Sequence, residues 1–240
     1  MLLVTIDDLG LSHAVNAAAA RCTDAGVVGC LSLMATGPSI HEAFETASSP
    51  DLQISVHLNC IEPPFLTDVS FPSSVSGWMF RGNSLSKEVR AEWRAQIELV
   101  LSSGLMVTRL DSHRHAHMVP GLRDVILDLA EEYGAGTIRS AVLPDRWART
   151  AGPILDRLGR SLRKRAAARG IGTPEKMLGF SRSGNVTRDY LLKYGDVIEK
   201  DIEVELVMHP AEVPVWSEGQ TAELALMTSD WFRDWMVSLD

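Results

Sequence analysis

The hydrophobic positions of the chain fall into short runs of β-forming residues that alternate with longer stretches of helical spacing. The first run, residues 2–6, precedes an alanine-rich helical stretch at 14–25, for which Ser12 is a suitable N-cap. Alternation of this kind predicts one α/β domain over residues 1–240 with a mainly parallel sheet, open or closed into a barrel. Further strands are predicted at 29–34, 52–58, 105–110, 137–140, 177–180 and 203–208.

Helical spacing is clearest in residues 86–103. Val89, Trp93, Ile97 and Leu101 recur there at intervals of four and form one apolar face. Other helices are predicted at 38–47, 121–133, 146–169 (as one helix or two), 187–194 and 222–238.

Residues 59–83 break the alternation. The segment is rich in proline, serine and glycine, and a loop of this length in a compact domain is usually functional or mobile. Its aromatic residues Phe65, Phe71, Trp78 and Phe80 have three open interpretations: contact with sugar rings, a dimer contact, or plain packing.

Composition excludes several classes of protein. Hydrophobic residues make up 45% of the chain, which permits a large core, and the net charge of −8 argues against a nucleic-acid partner. The odd number of cysteines, without metal-type spacing, fits a reducing cytoplasm. We expect neither a signal peptide nor a membrane span, because the first residues lack a basic region and the apolar runs are short.

The basic run at 157–169 has two interpretations. A solvated helix face is preferred because the chain as a whole is acidic, and contact with an anionic lipid surface is the alternative.

Candidate catalytic groups cluster at the ends of four predicted strands. Asp7 and Asp8 follow the first, His57 ends the third, residues 111–117 (Asp-Ser-His-Arg-His-Ala-His) follow the fourth, and His209 follows the last. Five of the seven histidines lie at these ends, where parallel α/β folds gather their active sites. Carboxylate and imidazole groups together would hold a metal ion and leave positions for water and substrate.

Each of these groups also has an ordinary structural interpretation. Asp-Asp-Leu-Gly is turn-like, and a single histidine such as His57 is often a satisfied core residue. The three histidines at 113, 115 and 117 would point to one side if the backbone stays extended, but histidine-rich surface stretches also occur. Pro210 restricts His209 to extended geometry, which suits a fixed general acid or an ordinary turn.

The order and spacing of these elements resemble the YdjC-like family of carbohydrate deacetylases. The matching elements are 7–12 (Asp-Asp-Leu-Gly-Leu-Ser), 57–59 (His-Leu-Asn), 111–120 and 209–210 (His-Pro). The resemblance implies a distorted TIM-like (β/α) barrel and a hydrolase that cleaves the amide C–N bond of an acetylated amino sugar, releasing acetate. The segment 223–229 resembles the start of the family's closing helix.

The resemblance also assigns roles to residues. It implies a divalent metal held by Asp8, His57 and His113, with Asp7 as general base and His209 as the acid that protonates the departing amine. Arg139 would hold Asp7 in place or bind substrate. His115, His117 and Asn59 would support the ligands or contact the substrate.

Several alternatives stay open at this stage. The ligand types fit Zn²⁺, whereas the resemblance points towards Mg²⁺. A non-catalytic carbohydrate- or metal-binding protein on the same fold is a second hypothesis, and another metallohydrolase, such as a two-metal phosphoesterase, is a third. The residues around 5–6, 35–37, 60–64 and 114 depart from the family pattern, which bears on the sugar that is recognised. A homodimer is possible.

Overall fold

The computed structural model describes residues 1–239, with side chains at every position except 75 and 76. Its strands begin and end close to the predicted positions, although the fourth is displaced by two residues and the fifth is shorter. They are β1 (Leu2–Leu9), β2 (Cys30–Leu33), β3 (Gln53–Leu58), β4 (Val107–Ser112), β5 (Thr137–Ile138), β6 (Lys176–Leu178) and β7 (Val204–Met208).

Helices connect successive strands and cover the outside of the sheet. They are α1 (His13–Asp24), α2 (Ile40–Thr46), α3 (Val75–Arg81), α4 (Ser86–Ser102), α5 (Leu122–Tyr133), α6 (Gly152–Ala168), α7 (Arg188–Tyr194), α8 (Gln220–Met227) and α9 (Asp230–Val237). Short 3₁₀ turns follow β4, β5, β6 and α7 at His113–Met118, Arg146–Ala148, Phe180–Arg182 and Gly195–Val197.

The strands are arranged in the order of a barrel. The sheet order is β5-β4-β3-β2-β1-β7-β6, and every neighbouring pair is parallel. Because β7 lies beside β1, the strands follow one another around the sheet in chain order, as in a (β/α) barrel. The edge strands β5 and β6 do not pair; Thr137 of β5 instead forms an isolated parallel bridge with Gly172, which precedes β6, so the barrel is curled but incompletely closed. The predicted TIM-like α/β fold is confirmed.

The core lies between the sheet and the helices. Val89, Trp93 and Ile97 of α4 are fully buried, as their spacing predicted, and Leu101 packs at the edge of the same cluster. Burial of such side chains stabilises the barrel by roughly 1.5–3 kcal/mol each. The close-packed barrel therefore fixes the positions of the strand ends and of the side chains at those ends.

Two predicted elements differ in the structure. The predicted helix at 222–238 is two helices, because Ser229 is extended and its Oγ accepts a hydrogen bond from the Phe232 N–H, which starts α9. The predicted loop at 59–83 contains α3, which begins where the Ser74 Oγ accepts from the Gly77 N–H. In both places a serine side chain competes with the helical backbone for hydrogen bonds, and the local pattern did not decide the outcome.

The surface of α6 bears on the two interpretations of the basic run. Arg160, Arg163, Arg165 and Arg169 each pair with a carboxylate, on Asp156, Glu175, Asp124 and Asp128 respectively. These pairs favour a solvated helix face over a lipid surface, because little of the positive charge is left unpaired. No helix within residues 1–239 combines the length and hydrophobicity needed to cross a bilayer.

We expect Gly159→Ala to lower the free energy of unfolding by roughly 1–3 kcal/mol, the usual cost of overpacking. A Cβ at position 159 of α6 would lie 2.5 Å from the backbone oxygen of Ala141, in the segment that follows β5. Gly136→Ala is the matched control, because a Cβ there meets no atom within 4 Å. Urea denaturation checks both variants. Equal stability of the two would contradict the close packing of α6 against this segment.

Candidate metal centre

The end of β1 brings two adjacent carboxylates to one side of the chain. In a regular strand Asp7 and Asp8 would face opposite ways, but Asp8 has a left-handed backbone with φ of 62°. The pairing register of β1 with β2 shifts between Ile6 and Leu9, around this kink. Both carboxylates consequently approach the same imidazole: Asp8 Oδ1 lies 3.3 Å from His57 Nε2, and Asp7 Oδ2 lies 3.9 Å from His57 Nδ1.

Asp8, His57 and His113 converge on one point, as the family resemblance implied. Asp8 Oδ1 is 3.2 Å from His113 Nδ1, and His57 Nε2 is 3.4 Å from the same nitrogen. Three atoms that share an ion at about 2.1 Å lie about 3.0–3.4 Å from one another. Asp8 Oδ1 is buried and accepts no hydrogen bond. A buried carboxylate oxygen without a donor is costly, and a cation among these three atoms removes that cost.

Asp111 fixes the orientation of His57. Its Oδ1 accepts a hydrogen bond from His57 Nδ1, while its Oδ2 accepts from the hydroxyls of Ser32 at 2.7 Å and Ser55 at 2.5 Å. With Nδ1 occupied, Nε2 of His57 is directed at Asp8. A carboxylate behind a ligating histidine is a common arrangement in metal sites. Burial lowers the pKa of His57, but Asp7 and Asp111 outweigh it and raise this pKa to about 10.

Arg139 is the cation that makes this cluster of carboxylates possible. Its guanidinium donates to both oxygens of Asp7 at 2.8 Å, donates to Glu205 Oε1 at 2.9 and 3.1 Å, and lies 3.4 Å from Asp111 Oδ1. Burial opposes its charge, yet Asp111 and Asp7 raise the pKa of Arg139 well above its ordinary value. Of the two roles expected for Arg139, the structure shows the holding of Asp7.

The buried charges of this network leave a deficit of positive charge. Four carboxylates face two guanidiniums, each side chain at most 4% exposed; with His57 neutral, as a metal-bound imidazole is, the sum of −4 and +2 is −2. A divalent cation would bring this sum to zero, which is the second reason why the residues fit such an ion. The members are Asp7, Asp8, Asp111, Glu205, Arg109 and Arg139.

A second group of possible ligands, Asp7, His57 and Asp111, lies beside the first. Arg139 already bonds Asp7 there and reaches towards Asp111. Its fixed charge disfavours another cation at the same place. The geometry therefore fits one ion bound by Asp8, His57 and His113.

His209 lies at the edge of the ligand cluster, at the end of β7. Its Nε2 is 3.9 Å from Asp7 Oδ2, and its Nδ1 is buried without a partner. Burial lowers the pKa of His209. Its backbone N–H donates to the Glu223 Oε2 at 2.5 Å, and the Val186 N–H donates to the Glu223 Oε1 at 2.7 Å. Burial raises the pKa of Glu223 to about 8.

The histidine-rich segment does not stay extended, so its three side chains do not share one side. Arg114 and His115 have positive φ values of 51° and 56°, which turns the chain sharply after His113. His117 points into the protein, where Nε2 donates to the Arg139 carbonyl at 2.9 Å and Nδ1 bonds the Ser112 hydroxyl at 2.6 Å. His115 lies against Phe180, and burial lowers its pKa well below the ordinary value. His117 thus supports the backbone of Arg139.

Asn59 organises the loop that follows His57. Its side-chain oxygen accepts from the N–H groups of Ile61 and Glu62, and its amide donates to Thr36 Oγ1 at 2.9 Å. The loop then places Glu62 Oε2 3.5 Å from His113 Nε2.

Among the aromatic residues of this loop, Trp78 is fully buried and donates to the Cys60 carbonyl, so it is a packing residue. Phe71 packs between Phe65 and Trp78. Phe80 is 91% exposed.

Several residues that surround the candidate ligands were not predicted from the sequence. Asp111 was recognised as part of a motif but given no role, and its two serine partners lie in ordinary strand sequences. For the strand residues, the signal available was a polar residue in an otherwise apolar buried strand, which must find a partner. The residues not predicted are Ser32, Ser55, Asp111, Glu205, Glu223 and Trp216, whose indole Nε1–H donates to Asp8 Oδ2.

Comparison with known proteins shows the family of this chain. A family model described as YdjC-like protein matches residues 1–238. The chain belongs to the YdjC-like family. Two relatives match over most of their length, and both are named carbohydrate deacetylase. The protein of Geobacillus stearothermophilus is 30% identical over 94% of this chain and 88% of its own, and that of Halalkalibacterium halodurans is 26% identical over 95% and 94%.

A carbohydrate deacetylase of Oceanobacillus iheyensis is 35% identical over 140 residues, which are 54% of this chain and 60% of that protein. The matched region thus spans about three fifths of the length of this relative. A solved structure from Enterococcus faecalis V583, described as a cellobiose-phosphate cleavage protein, has a TM-score of 0.75. It is 25% identical, and the match covers 99% of this chain and 94% of that one.

We expect Asp111→Asn to weaken the binding of a divalent cation by about 10–100-fold, because an amide holds His57 less firmly than a carboxylate does. Zn²⁺ titration of metal-stripped protein by calorimetry measures the effect. Asp124→Asn, which changes a partly exposed carboxylate on α5, is the control. Circular dichroism melting confirms that both variants are folded. Unchanged Zn²⁺ affinity in a folded Asp111→Asn protein would contradict the role given to Asp111.

Proposed function

We propose that this protein is a metal-dependent carbohydrate deacetylase that removes the N-acetyl group of an amino sugar and releases acetate. The relatives named carbohydrate deacetylase support the reaction. The ligand geometry and the charge deficit support the divalent cation, Mg²⁺ or Zn²⁺. The substrate would be an acetylated amino sugar, free or as part of an oligosaccharide or glycolipid.

The observation that carries the proposal is the pair Asp7 and His209. Neither belongs to the set of three converging ligands, yet they lie beside it and their side chains are 3.9 Å apart. A protein that merely binds metal or sugar has no need of a carboxylate and an imidazole placed together at the ion. Hydrolysis of an amide needs both a base for water and an acid for the amine.

In this proposal each group has one chemical task. A cation held by Asp8, His57 and His113 would polarise the acetamide carbonyl and would make a water molecule more acidic. Asp7 accepts a proton from that water, and Arg139 keeps its carboxylate aimed at the site through both oxygens. His209 carries a proton to the nitrogen of the departing amine. The lowered pKa of His209 makes its imidazolium a ready proton donor.

Three cysteines, Cys22, Cys30 and Cys60, are buried and unpaired, which supports a cytoplasmic location. A homodimer stays a prediction.

We expect Asp7→Asn and His209→Gln each to lower kcat by about 10²–10⁴-fold, the usual contribution of a general base or acid. Acetate release from N-acetylglucosamine oligomers, coupled to acetate kinase, measures the effect. Zn²⁺ content should stay near that of the parent in His209→Gln, because His209 is not among the three ligands. The activity of Asp7→Asn is compared per bound Zn²⁺, because Asp7 also pairs with Arg139. His13→Gln, at an exposed histidine on α1, is the control. Full activity in either variant would contradict the role assigned to that residue.

We also expect one metal ion per chain. Arg139 provides positive charge where a second ion would bind, whereas a two-metal phosphoesterase would bind two. Elemental analysis of protein loaded with Zn²⁺ and then desalted counts the ions, with His113→Ala as a control that should lose its ion. A ratio near two in the parent would favour the phosphoesterase alternative.

A further inference from the structure

The segment between β7 and α8 holds a tryptophan over the metal centre. The backbone N–H groups of Val215, Trp216 and Ser217 all donate to the Oε1 atom of Gln220, at 2.9, 2.9 and 3.2 Å. Gln220 is itself 1% exposed at the start of α8. One amide oxygen with three donors gives this turn a defined shape, although Trp216 is 46% exposed.

The indole ring is fixed on three sides. Its Nε1–H donates to Asp8 Oδ2 at 3.2 Å, and the ring meets His209 edge to face with centroids 5.1 Å apart. On the third side it lies over Gly184, which has φ of +67° and where a Cβ would come within 2.6 Å of the ring. Glycine at position 184 thus leaves room for the indole, because a residue with a Cβ would clash with the ring.

The contact with Asp8 divides the two oxygens of that carboxylate between two tasks. Oδ2 accepts from the indole, while Oδ1 accepts from no donor and lies 3.2 and 3.3 Å from the nitrogens of His113 and His57. Carboxylate torsions are broad in energy, so an Asp side chain without an anchor would rotate. The indole N–H supplies that anchor.

We propose that Trp216 is a positioning residue for the metal centre, which presents Asp8 to the ion through Oδ1 alone. This inference rests on the metal centre of the proposed function but is independent of the substrate. The indole acts on Asp8 in the way that Asp111 acts on His57, by a hydrogen bond to the atom that faces away from the ion. The ligands are thus held by a tryptophan of the last βα loop as well as by the strands.

Trp216→Phe tests the proposal, because phenylalanine keeps an aromatic ring beside His209 and removes the N–H. We expect the dissociation constant for Zn²⁺, measured by competition with a chromophoric chelator, to rise roughly tenfold. Trp231→Phe on α9 makes the same exchange at another partly buried indole and should leave the constant within about twofold.

A double-mutant cycle separates positioning from general loosening of the loop. If Trp216 acts through Asp8, Trp216→Phe has no further effect on Zn²⁺ affinity in an Asp8→Ala background, which has no oxygen for the indole to hold. An equal loss in both backgrounds, or an unchanged constant in the single variant, would overturn the proposal. Zn²⁺ binding is measured without turnover. Absence of acetate release by the parent would therefore refute the proposed function, while the titration still decides the role of Trp216.

Discussion

The bidentate pairing of Arg139 with Asp7 is the interaction on which the rest of the site depends. Without that guanidinium, Asp7, Asp111 and Glu205 would be three buried carboxylates with far less positive charge among them. Burial raises the pKa values of Asp111 and Glu205, but the charge of Arg139 opposes it and both pKa values are lowered. The anionic environment that Arg139 permits is in turn what makes the site attractive to a divalent cation.

The backbone around Arg139 shows how the fold serves this charge. Its N–H donates to the Leu110 carbonyl of β4, and its own carbonyl accepts from His117. The main chain of Arg139 is therefore bonded to the sheet, while its side chain bonds the carboxylates of the site. The strand β5 has only two residues, and the residue after it, Arg139, is also bonded by His117 in the turn that follows β4.

Much of the fold could be predicted from the sequence, because strands buried in a parallel sheet are strongly hydrophobic and the helices between them have a clear period. The strand ends also gave candidate ligand and catalytic residues, because ligand-type residues at the ends of apolar runs are conspicuous, and the family resemblance then implied Asp8, His57 and His113 as the ligands. The partners of these residues were harder to predict. Ser32 and Ser55 look like ordinary strand residues, and their contact with Asp111 depends on pairing across three strands. Glu223 and Trp216 lie in a distant part of the chain with no local pattern to identify them.

In the histidine-rich segment, the sequence suggested an arrangement that the structure does not have. Its spacing suggested three side chains on one face, but positive φ values at Arg114 and His115 separate them. Two consecutive non-glycine residues in this conformation are held there by the surrounding contacts, such as the bonds of His117 to Ser112 and to the Arg139 carbonyl. Sequence spacing alone does not contain that information.

The left-handed backbone at Asp8 limits which ligand can occupy that position. For most side chains this conformation costs about 1–2 kcal/mol, whereas aspartate and asparagine tolerate it well. Glutamate, which is also a good metal ligand, would be disfavoured by the main chain before it reached the ion. Any redesign of this centre for another metal would therefore have more freedom at His57 and His113 than at the end of β1.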